Sequence, residues 1–339
     1  MATPLWRDYY VNLGKTDGIN YRLSLKDTGE IIYSGRAYLR PGSTANEIRI
    51  NDVCADYISN TLPELTQAQF SQLTFPLTFN VHAYVDGSWA LRDTVAFIND
   101  WSYDNAFNVV TEGLAFPVLT NIDRRQWLTY SVYNAKSVTA LVVYRDGSRQ
   151  ELTIEAVIAS SFNISFNSSF ARSLRGSATG TAVIDVAALG DIASITIGGV
   201  TFNVINTCSR YALYYVNEHG GWDSLLIEGG YKWTDNLTRY TREVDYDNRN
   251  VQNRGAINYV NEVKRSLSLS TGWLTDEQSA RMRHLLNSTS VYLLDMERGE
   301  MLPLLITDNT YERKTFRSND CKLVNYSINC ELAQTQIRR

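Results

Sequence analysis

The sequence predicts a mainly β protein of β-sandwich or split-barrel domains, with a few short α-helices and a C-terminal α+β unit. Two observations predict this fold class. The chain contains 21 Tyr and 11 Phe but only 4 Met, and aromatic residues favour strands. Stretches of alternating apolar residues are joined by dipeptides that suit tight turns.

Three hairpins are predicted from turn chemistry. In "TFPLTFNVHAYVDGSWALRDTVAFI" apolar residues alternate up to the Asp-Gly pair at 86–87, which can adopt the positive φ angles of a two-residue turn. A second Asp-Gly pair at 146–147 and a Gly-Gly pair at 198–199 separate similar runs. Each pair therefore marks a return of the chain between antiparallel strands.

Two helices are expected among the strands. Near residues 50–60, apolar residues recur at three- and four-residue spacing, which is the period of an amphipathic helix. A second helix follows Thr275, because Gln278 completes a capping box with it. His284 lies in that helix and is expected to be half exposed. The residues of this helix predicted to face the core are Met282, Leu285 and Leu286.

A chain of 339 residues exceeds the size of one ordinary core and predicts several domains. The boundaries predicted from composition are an N-terminal β domain at 1–120, an inserted β-sandwich at 121–205 and a C-terminal α+β domain at 206–339. The formal net charge is −4, with acids and bases interleaved, so direct recognition of nucleic acid is not expected. Signal-peptide and membrane-helix patterns are not found, and synthesis in a cytoplasm without export is expected.

The cysteines lack the clustering of a zinc site or a disulfide framework. They are predicted to be reduced and mostly buried thiols. They are Cys54, Cys208, Cys321 and Cys330.

Catalytic motifs of the GxSxG, GxxxxGK[ST] and HExxH types do not occur. The remaining enzymatic option is a pair of carboxylates, as in glycoside hydrolases. The candidate acids are Glu218, Asp223, Glu228, Asp245 and Asp247. Acids beside Asn and Gly are more typical of turns. In "YYVNEHGGWDSLLIEGG" the pair Gly220 and Gly221 predicts a hairpin with Glu218 and His219 at its tip. No catalytic, cofactor-binding or metal-binding residue is therefore predicted.

Tryptophan residues allow two interpretations. An exposed indole ring can stack on a sugar, whereas large aromatic residues in strands are usually part of the core. The core interpretation is favoured for most of them. The residues concerned are Trp89, Trp101, Trp127, Trp222 and Trp233.

Four segments resemble tail-tip or baseplate proteins of tailed bacteriophages and prophages of Bacteroidales, with the layout of distal tail proteins. They are "CSRYALYYVNEHGGWDSLLIEGG", "INYVNEVKRSLSLSTGWLTDEQSARMRHLLNSTSVYLLD", "YSINCELAQTQIRR" and, near the N-terminus, "YSGRAYLRPGSTANEIRINDVCADYISN". The resemblance covers 206–339 in detail and does not cover 121–205. It implies a virion component without enzymatic activity that forms a ring with copies of itself and attaches other tail or receptor-binding proteins.

In such an assembly, the loop at 171–180 and the N-terminal arm "MATPLWRDYY" are expected to become ordered against a neighbour. Two other functions stay open at this point. One is a carbohydrate- or receptor-binding β-sandwich module, based on the aromatic content. The other is a polysaccharide-degrading enzyme, based on the acids around His219.

Overall fold

The computed structural model describes residues 2–4, 8–15, 17–58, 68–71, 77–98, 121–155, 157–158, 174–175, 178–218, 220–243, 256–275, 278–279, 282–308, 310, 323–334 and 336–338. These residues are mostly in strands and form several sheets, with short helical segments between them, which confirms the mainly β fold class. Among them, no helix has the length and apolar character needed to cross a membrane.

Packing divides the chain into two compact units. The first unit contains 1–120, 127–204 and 216–223, and the second contains 121–126, 205–215 and 224–339. The division into three consecutive domains stays a prediction.

The elements of the N-terminal part are β1 (Ala2–Pro4), β2 (Tyr10–Gly14), β3 (Ile19–Leu25), β4 (Ile31–Ala37), β5 (Asn46–Arg49), α1 (Asn51–Ala55), β6 (Gln69–Ser71), β7 (Leu77–Val85) and β8 (Ser88–Ile98). Five of these strands form a sheet in the order β1-β8-β7-β3-β4. Its core contains Leu23, Phe79, Val81 and Phe97, all nearly inaccessible to solvent. The hairpin at 86–87 is confirmed, with positive φ at both residues.

Two expectations for this part need correction. Strand β1 lies in the N-terminal arm and pairs in parallel with β8 of the same chain, with Ala2 opposite Ala96. Residues 2–4 therefore order against their own sheet. The helix expected near 50–60 is also shorter, because α1 ends at Ala55. Its apolar face still buries Ile50 and Cys54 as the spacing predicted.

The elements of the central part are β9 (Asn121–Asp123), β10 (Trp127–Ala135), β11 (Ser137–Tyr144), β12 (Arg149–Glu155), β13 (Val157–Ile158), β14 (Leu174–Arg175), β15 (Ala178–Asp185), a 3-10 turn (Ala187–Leu189), β16 (Ile192–Ile197) and β17 (Val200–Ile205). In the first unit, β10, β15 and β6 form one sheet, and β12, β11, β16 and β17 pair in that order in another. Gly147, Gly198 and Gly199 have positive φ, which confirms the two hairpins predicted here.

The elements of the C-terminal part are β18 (Tyr211–Val216), β19 (Trp222–Leu226), β20 (Tyr231–Glu243), β21 (Ala256–Ser270), β22 (Leu274–Thr275), α2 (Met282–Leu286), β23 (Val291–Asp295), β24 (Glu300–Ile306), β25 (Leu323–Val324), β26 (Ser327–Leu332) and β27 (Gln336–Arg338). The large sheet has the order β19-β18-β23-β24-β26-β21-β20, and β27 also pairs with β21. Its two outermost strands, β19 and β20, are consecutive in the chain.

This sheet curls so that its two ends approach each other. The indole Nε1–H of Trp233 on β20 donates a hydrogen bond of 3.1 Å to the Tyr211 hydroxyl on β18. Residues 227–230 carry the chain across the closing edge, where Ile227 N–H donates to the Tyr211 carbonyl and Gly229 N–H to the Ser270 carbonyl. Buried side chains on the strands of this curled sheet include Leu213, Leu267, Leu269, Leu293, Leu304, Ile328 and Cys330.

The second predicted helix has the expected start. Gln278 N–H donates to the Thr275 hydroxyl, and Thr275 N–H donates to the side-chain carbonyl of Gln278. This reciprocal pair is the predicted capping box. In α2, Met282 and Leu285 are buried, and His284 is half buried, as expected.

A buried carboxylate fastens residues 121–126 to residues 205–209 within the second unit. Asp123 accepts hydrogen bonds from Nε and Nη2 of Arg125 and from N–H and Oγ1 of Thr207. Nη2 of Arg125 also donates to the carbonyl groups of Thr207 and Ser209. Burial opposes ionisation of Asp123, but the bonds from Arg125 and Thr207 outweigh it, so its pKa is lowered. We call this cluster the Asp123 clamp.

Candidate ribbon arm and aromatic groove

Strands β20 and β21 form the longest pair in the described chain. They pair antiparallel from Tyr231 opposite Leu269 to Glu243 opposite Ala256. A strand of 13 residues, such as β20, spans about 40 Å. Of the neighbouring strands, β26 pairs with β21 only at 266–270 and β27 only at 261–263. Among the described residues, β20 pairs with β21 alone.

We call residues 236–243 and 256–264 the ribbon arm. No residue of the arm is buried, and all eight described positions on β20 are exposed. Its large apolar side chains include Leu237 at 54%, Tyr240 at 43% and Tyr259 at 50% exposure. The rings of Tyr240 and Tyr259 lie 6.4 Å apart. The arm thus presents aromatic and aliphatic surface together with the outer edge of a long strand.

At the base of the arm, the curled sheet opens into a cavity of about 420 Å3, which we call the aromatic groove. Its lining residues come from the strands of the second unit and their connections, and all lie in that unit. They are Arg210, Tyr211, Tyr231, Trp233, Asp235, Arg265, Asp295, Arg298, Leu302 and Leu332. The mouth of a closed or nearly closed sheet is a common place for a ligand site.

Three rings form the apolar part of the groove. Tyr211 and Tyr231 meet edge to face with their centroids 4.8 Å apart, and Tyr211 and Trp233 meet at 6.3 Å. Alternation along β20 places Tyr231 and Trp233 on the same face, since they are two residues apart. The Trp233 hydrogen bond to Tyr211 fixes the orientation of the indole ring. Tyr231 remains 45% exposed, so part of its ring is open to a ligand.

Two arginine–aspartate pairs form the polar part. Arg265 donates through Nε and Nη2 to the two oxygens of Asp235, at 2.7 and 3.2 Å. The bond from Arg265 lowers the pKa of Asp235. Arg210 donates through Nε and Nη2 to Oδ2 of Asp295, at 3.3 and 3.0 Å. The two guanidinium groups also lie over the rings of Trp233 and Tyr211, respectively.

Asp295 is held at the floor of the groove and is 4% exposed. Burial opposes its ionisation, but the bonds from Arg210 and from the backbone N–H groups of Glu297 and Arg298 prevail and lower its pKa. The carboxylate of Glu297 lies 3.3 Å from Nη1 of Arg210, and Nε of Arg298 lies 4.0 Å from Asp295. The guanidinium groups of the groove are therefore accompanied by carboxylates.

The acids proposed as a catalytic pair are in different environments. Glu218 and Asp223 are buried, and Glu228 is exposed. Asp245, Asp247 and His219 lie outside the described residues. The turn predicted around Gly220 is confirmed by hydrogen bonds from Asn217 N–H to the Gly221 carbonyl and from Gly220 N–H to the Asn217 carbonyl.

This turn does not lie at an exposed tip, because residues 217 and 218 and residues 220–224 are buried. Trp222 N–H donates to the Thr181 hydroxyl at 3.3 Å, within the first unit. Half of the loop expected at 171–180 lies outside the described residues. The described half, 174–175 and 178–180, belongs to strands β14 and β15, so the chain is not a loop there.

The tryptophan prediction is correct for Trp222, which is 1% exposed. It is wrong for Trp89, which is 39% exposed, while Trp127 and Trp233 are half buried. Trp101 lies outside the described residues. Trp233 lies on β20, which among the described residues pairs with β21 alone.

The cysteine prediction is correct for Cys54 and Cys330, which are buried free thiols. Burial raises the pKa of each thiol to about 12, and Asp308 adds to the effect at Cys330. Cys208 is a free thiol but is exposed. Cys321 lies outside the described residues. Within the part of the chain that the structure describes, no group of three or more His, Cys, Asp or Glu side chains is arranged to hold a metal ion.

No protein-family model, curated protein or solved structure matches this chain.

Proposed function

We propose that this protein is a non-enzymatic structural subunit of a phage tail that assembles with copies of itself and attaches neighbouring tail proteins. The observation that carries the proposal is the ribbon arm. Apart from the pairing of β27 with residues 261–263, the described part of the arm is a two-stranded ribbon, and such a ribbon is only marginally stable in water by itself. An arm with no buried residue therefore gains most if a neighbouring molecule covers it.

The exposed edge of β20 supports pairing with another chain. A free edge offers unpaired N–H and C=O groups, which a strand of a neighbouring molecule can use for sheet extension. Charged residues along β20 include Lys232, Arg239 and Arg242. They oppose unspecific pairing of this edge with other strands and favour a partner strand of opposite charge. Contact between an arm and a different surface of the next copy is head-to-tail, and such contacts form a ring when the rotation between successive copies closes.

The resemblance of 206–339 to distal tail proteins supports the tail assignment. The ribbon arm lies within this segment, so the part of the chain that carries the resemblance also carries the surface suited to assembly. Within the proposal, the protein is made in the host cytoplasm and resides in the tail of the virion. Its partners are other copies and other tail proteins.

The first experiment measures the oligomeric state of the purified full-length chain by mass photometry. The wild-type protein is expected to form a closed oligomer. Leu237→Glu places a charge on the exposed arm and should weaken association about tenfold or more. Leu305→Glu is the matched control, because Leu305 is 57% exposed in the same unit but lies on β24. It should leave association unchanged.

The second experiment asks whether the protein is in the particle. Mass spectrometry of purified particles from the producing phage or induced prophage should detect the chain in several copies per virion. A wild-type chain that stays monomeric and is missing from those particles would falsify the proposal. Equal effects of Leu237→Glu and Leu305→Glu on association would show that the ribbon arm is not the assembly contact.

A further inference from the structure

The aromatic groove combines three features that separately occur on many surfaces but here face one cavity. It has a partly exposed ring at Tyr231, an oriented indole at Trp233, and two Arg–Asp pairs, all of which line the cavity. The ribbon arm is not needed to form it. We infer that the groove is a binding site for a short neutral saccharide.

The rings account for the apolar part of recognition. The face of an aromatic ring carries partial negative charge and attracts the partly positive C–H groups on the face of a sugar ring. Tyr231 and Trp233 project from the same side of β20 into the groove. The bond from Trp233 to Tyr211 holds the indole in place before a ligand arrives, which reduces the entropy lost on binding.

The ion pairs account for the hydroxyl groups. A guanidinium has five N–H donors and a carboxylate has about four acceptor positions. Asp235 accepts two bonds, both from Arg265, so this pair retains donor and acceptor capacity. Asp295 already accepts four bonds, so the second pair can offer a ligand only donors of Arg210. Arg265 donates to Asp235 through Nε and Nη2, so Nη1 of the same guanidinium group remains as a further donor. Neighbouring donors and acceptors suit vicinal hydroxyl groups, which both donate and accept.

The charge balance argues for a neutral ligand. The guanidinium groups of Arg210, Arg265 and Arg298 are matched by carboxylates of Asp235, Asp295 and Glu297 at 4.0 Å or less. An anionic ligand would have to compete with these carboxylates, whereas a neutral one leaves the pairs intact. Binding of a neutral saccharide should also vary little with salt, because it neutralises no net charge.

Size is consistent with a short saccharide. A cavity of about 420 Å3 falls inside the range of small-molecule sites, about 300–1,000 Å3. A second cavity of about 370 Å3 shares Arg210, Tyr211 and Tyr231 with the first and extends past Glu228. Of the two shared rings, Tyr231 is 45% exposed and Tyr211 only 4%, so the loss of Tyr231 should affect binding most.

The experiment uses the full-length protein and a panel of hexasaccharides of glucose, mannose, xylose and N-acetylglucosamine, with hexagalacturonate as the anionic probe. Isothermal titration calorimetry should show binding of at least one neutral hexamer. Raising the salt should change its affinity less than about twofold. Tyr231→Ala should weaken it about tenfold or more, and Tyr231→Phe should retain most of it because the ring face is kept.

Tyr240→Ala is the matched control, since Tyr240 is also on β20 and is 43% exposed against 45% for Tyr231. It should bind as wild type, and so should Leu237→Glu, which separates this test from the assembly test. Failure of every neutral hexamer at millimolar concentration overturns the inference. Binding restricted to hexagalacturonate overturns it as well, and so does binding that Tyr231→Ala leaves unchanged.

Discussion

The two halves of β21 pair with the same strand, β20, and yet have opposite environments. At the base, Leu267 and Leu269 are 1% and 0% exposed, while Tyr259 on the arm is 50% exposed. Hydrogen bonding to β20 is continuous apart from one irregularity near Tyr240. Pairing therefore sets the path of the strand, whereas packing against the rest of the curled sheet determines which half stabilises the fold.

The largest expected difference separates a leucine at the base, Leu267 on β21, from a leucine on the arm, Leu237 on β20. Leu267→Ala should lower the free energy of unfolding by about 2–5 kcal/mol, because it leaves a cavity among buried side chains. Leu237→Ala should change it by only about 0.5 kcal/mol or less, because the side chain is already exposed. Urea denaturation of both variants measures the difference. Comparable losses would show that the arm is packed within the monomer.

A second comparison is between two carboxylates that each pair with an arginine, the buried Asp123 and the exposed Asp235. Asp123→Asn removes the buried charge and replaces one of the two carboxylate oxygens that accept from Arg125 and Thr207 by an NH2 donor, and should cost about 1.5–3 kcal/mol of unfolding free energy. The effect should appear in urea denaturation of the full-length chain. A loss too small to detect would mean that the clamp contributes no net stability.

The same clamp predicts a dependence on pH. The pKa of Asp123 is lower in the folded protein than in the unfolded chain, so the unfolded chain binds more protons at acidic pH. This contribution to stability is complete above the unfolded pKa of about 3.9 and is lost as the pH falls through the folded pKa. Thermal unfolding of Asp123→Asn should depend less on pH in this acidic range than that of wild type. If wild type and Asp123→Asn show the same dependence of thermal unfolding on pH, Asp123 is not the source of this acid sensitivity.

The smallest effect is expected at the base of the arm. The pair between Asp235 and Arg265 has the same bidentate geometry as that of Asp123 and Arg125, but its side chains are 46% and 45% exposed. Solvent screens such a pair, so Asp235→Asn should leave the urea midpoint at the wild-type value within error. A clear loss of stability would mean that the groove is less open to solvent than its exposure indicates.

Much of the fold could be predicted from local chemistry. The Asp-Gly pair at 86–87 specifies positive φ angles, and the capping box of Thr275 and Gln278 specifies where a helix starts, whatever surrounds them. Burial is a different kind of property. The turn at 217–221 has the residues of an exposed hairpin tip but is covered by distant parts of the chain, which local patterns do not encode.

The aromatic groove could not be predicted for a related reason. It brings together Tyr211, Trp233, Arg265 and Asp295 from four strands, and their proximity depends on strand order and register. One signal was present in the sequence. Tyr231, Trp233 and Asp235 occupy alternate positions of a polar strand, an arrangement that places two rings and an acid on one face.

The Asp123 clamp also has a consequence for the order of events during folding. Its bond from the Thr207 hydroxyl joins residues 84 positions apart in the chain. Contacts of such large sequence separation form late, because a long loop must close before they can contribute. During synthesis, residues 121–126 leave the ribosome well before residues 207–209 are added. Residues 121–126 therefore remain without these hydrogen bonds until residues 207–209 have been synthesised. The second unit cannot reach its final packing before that point.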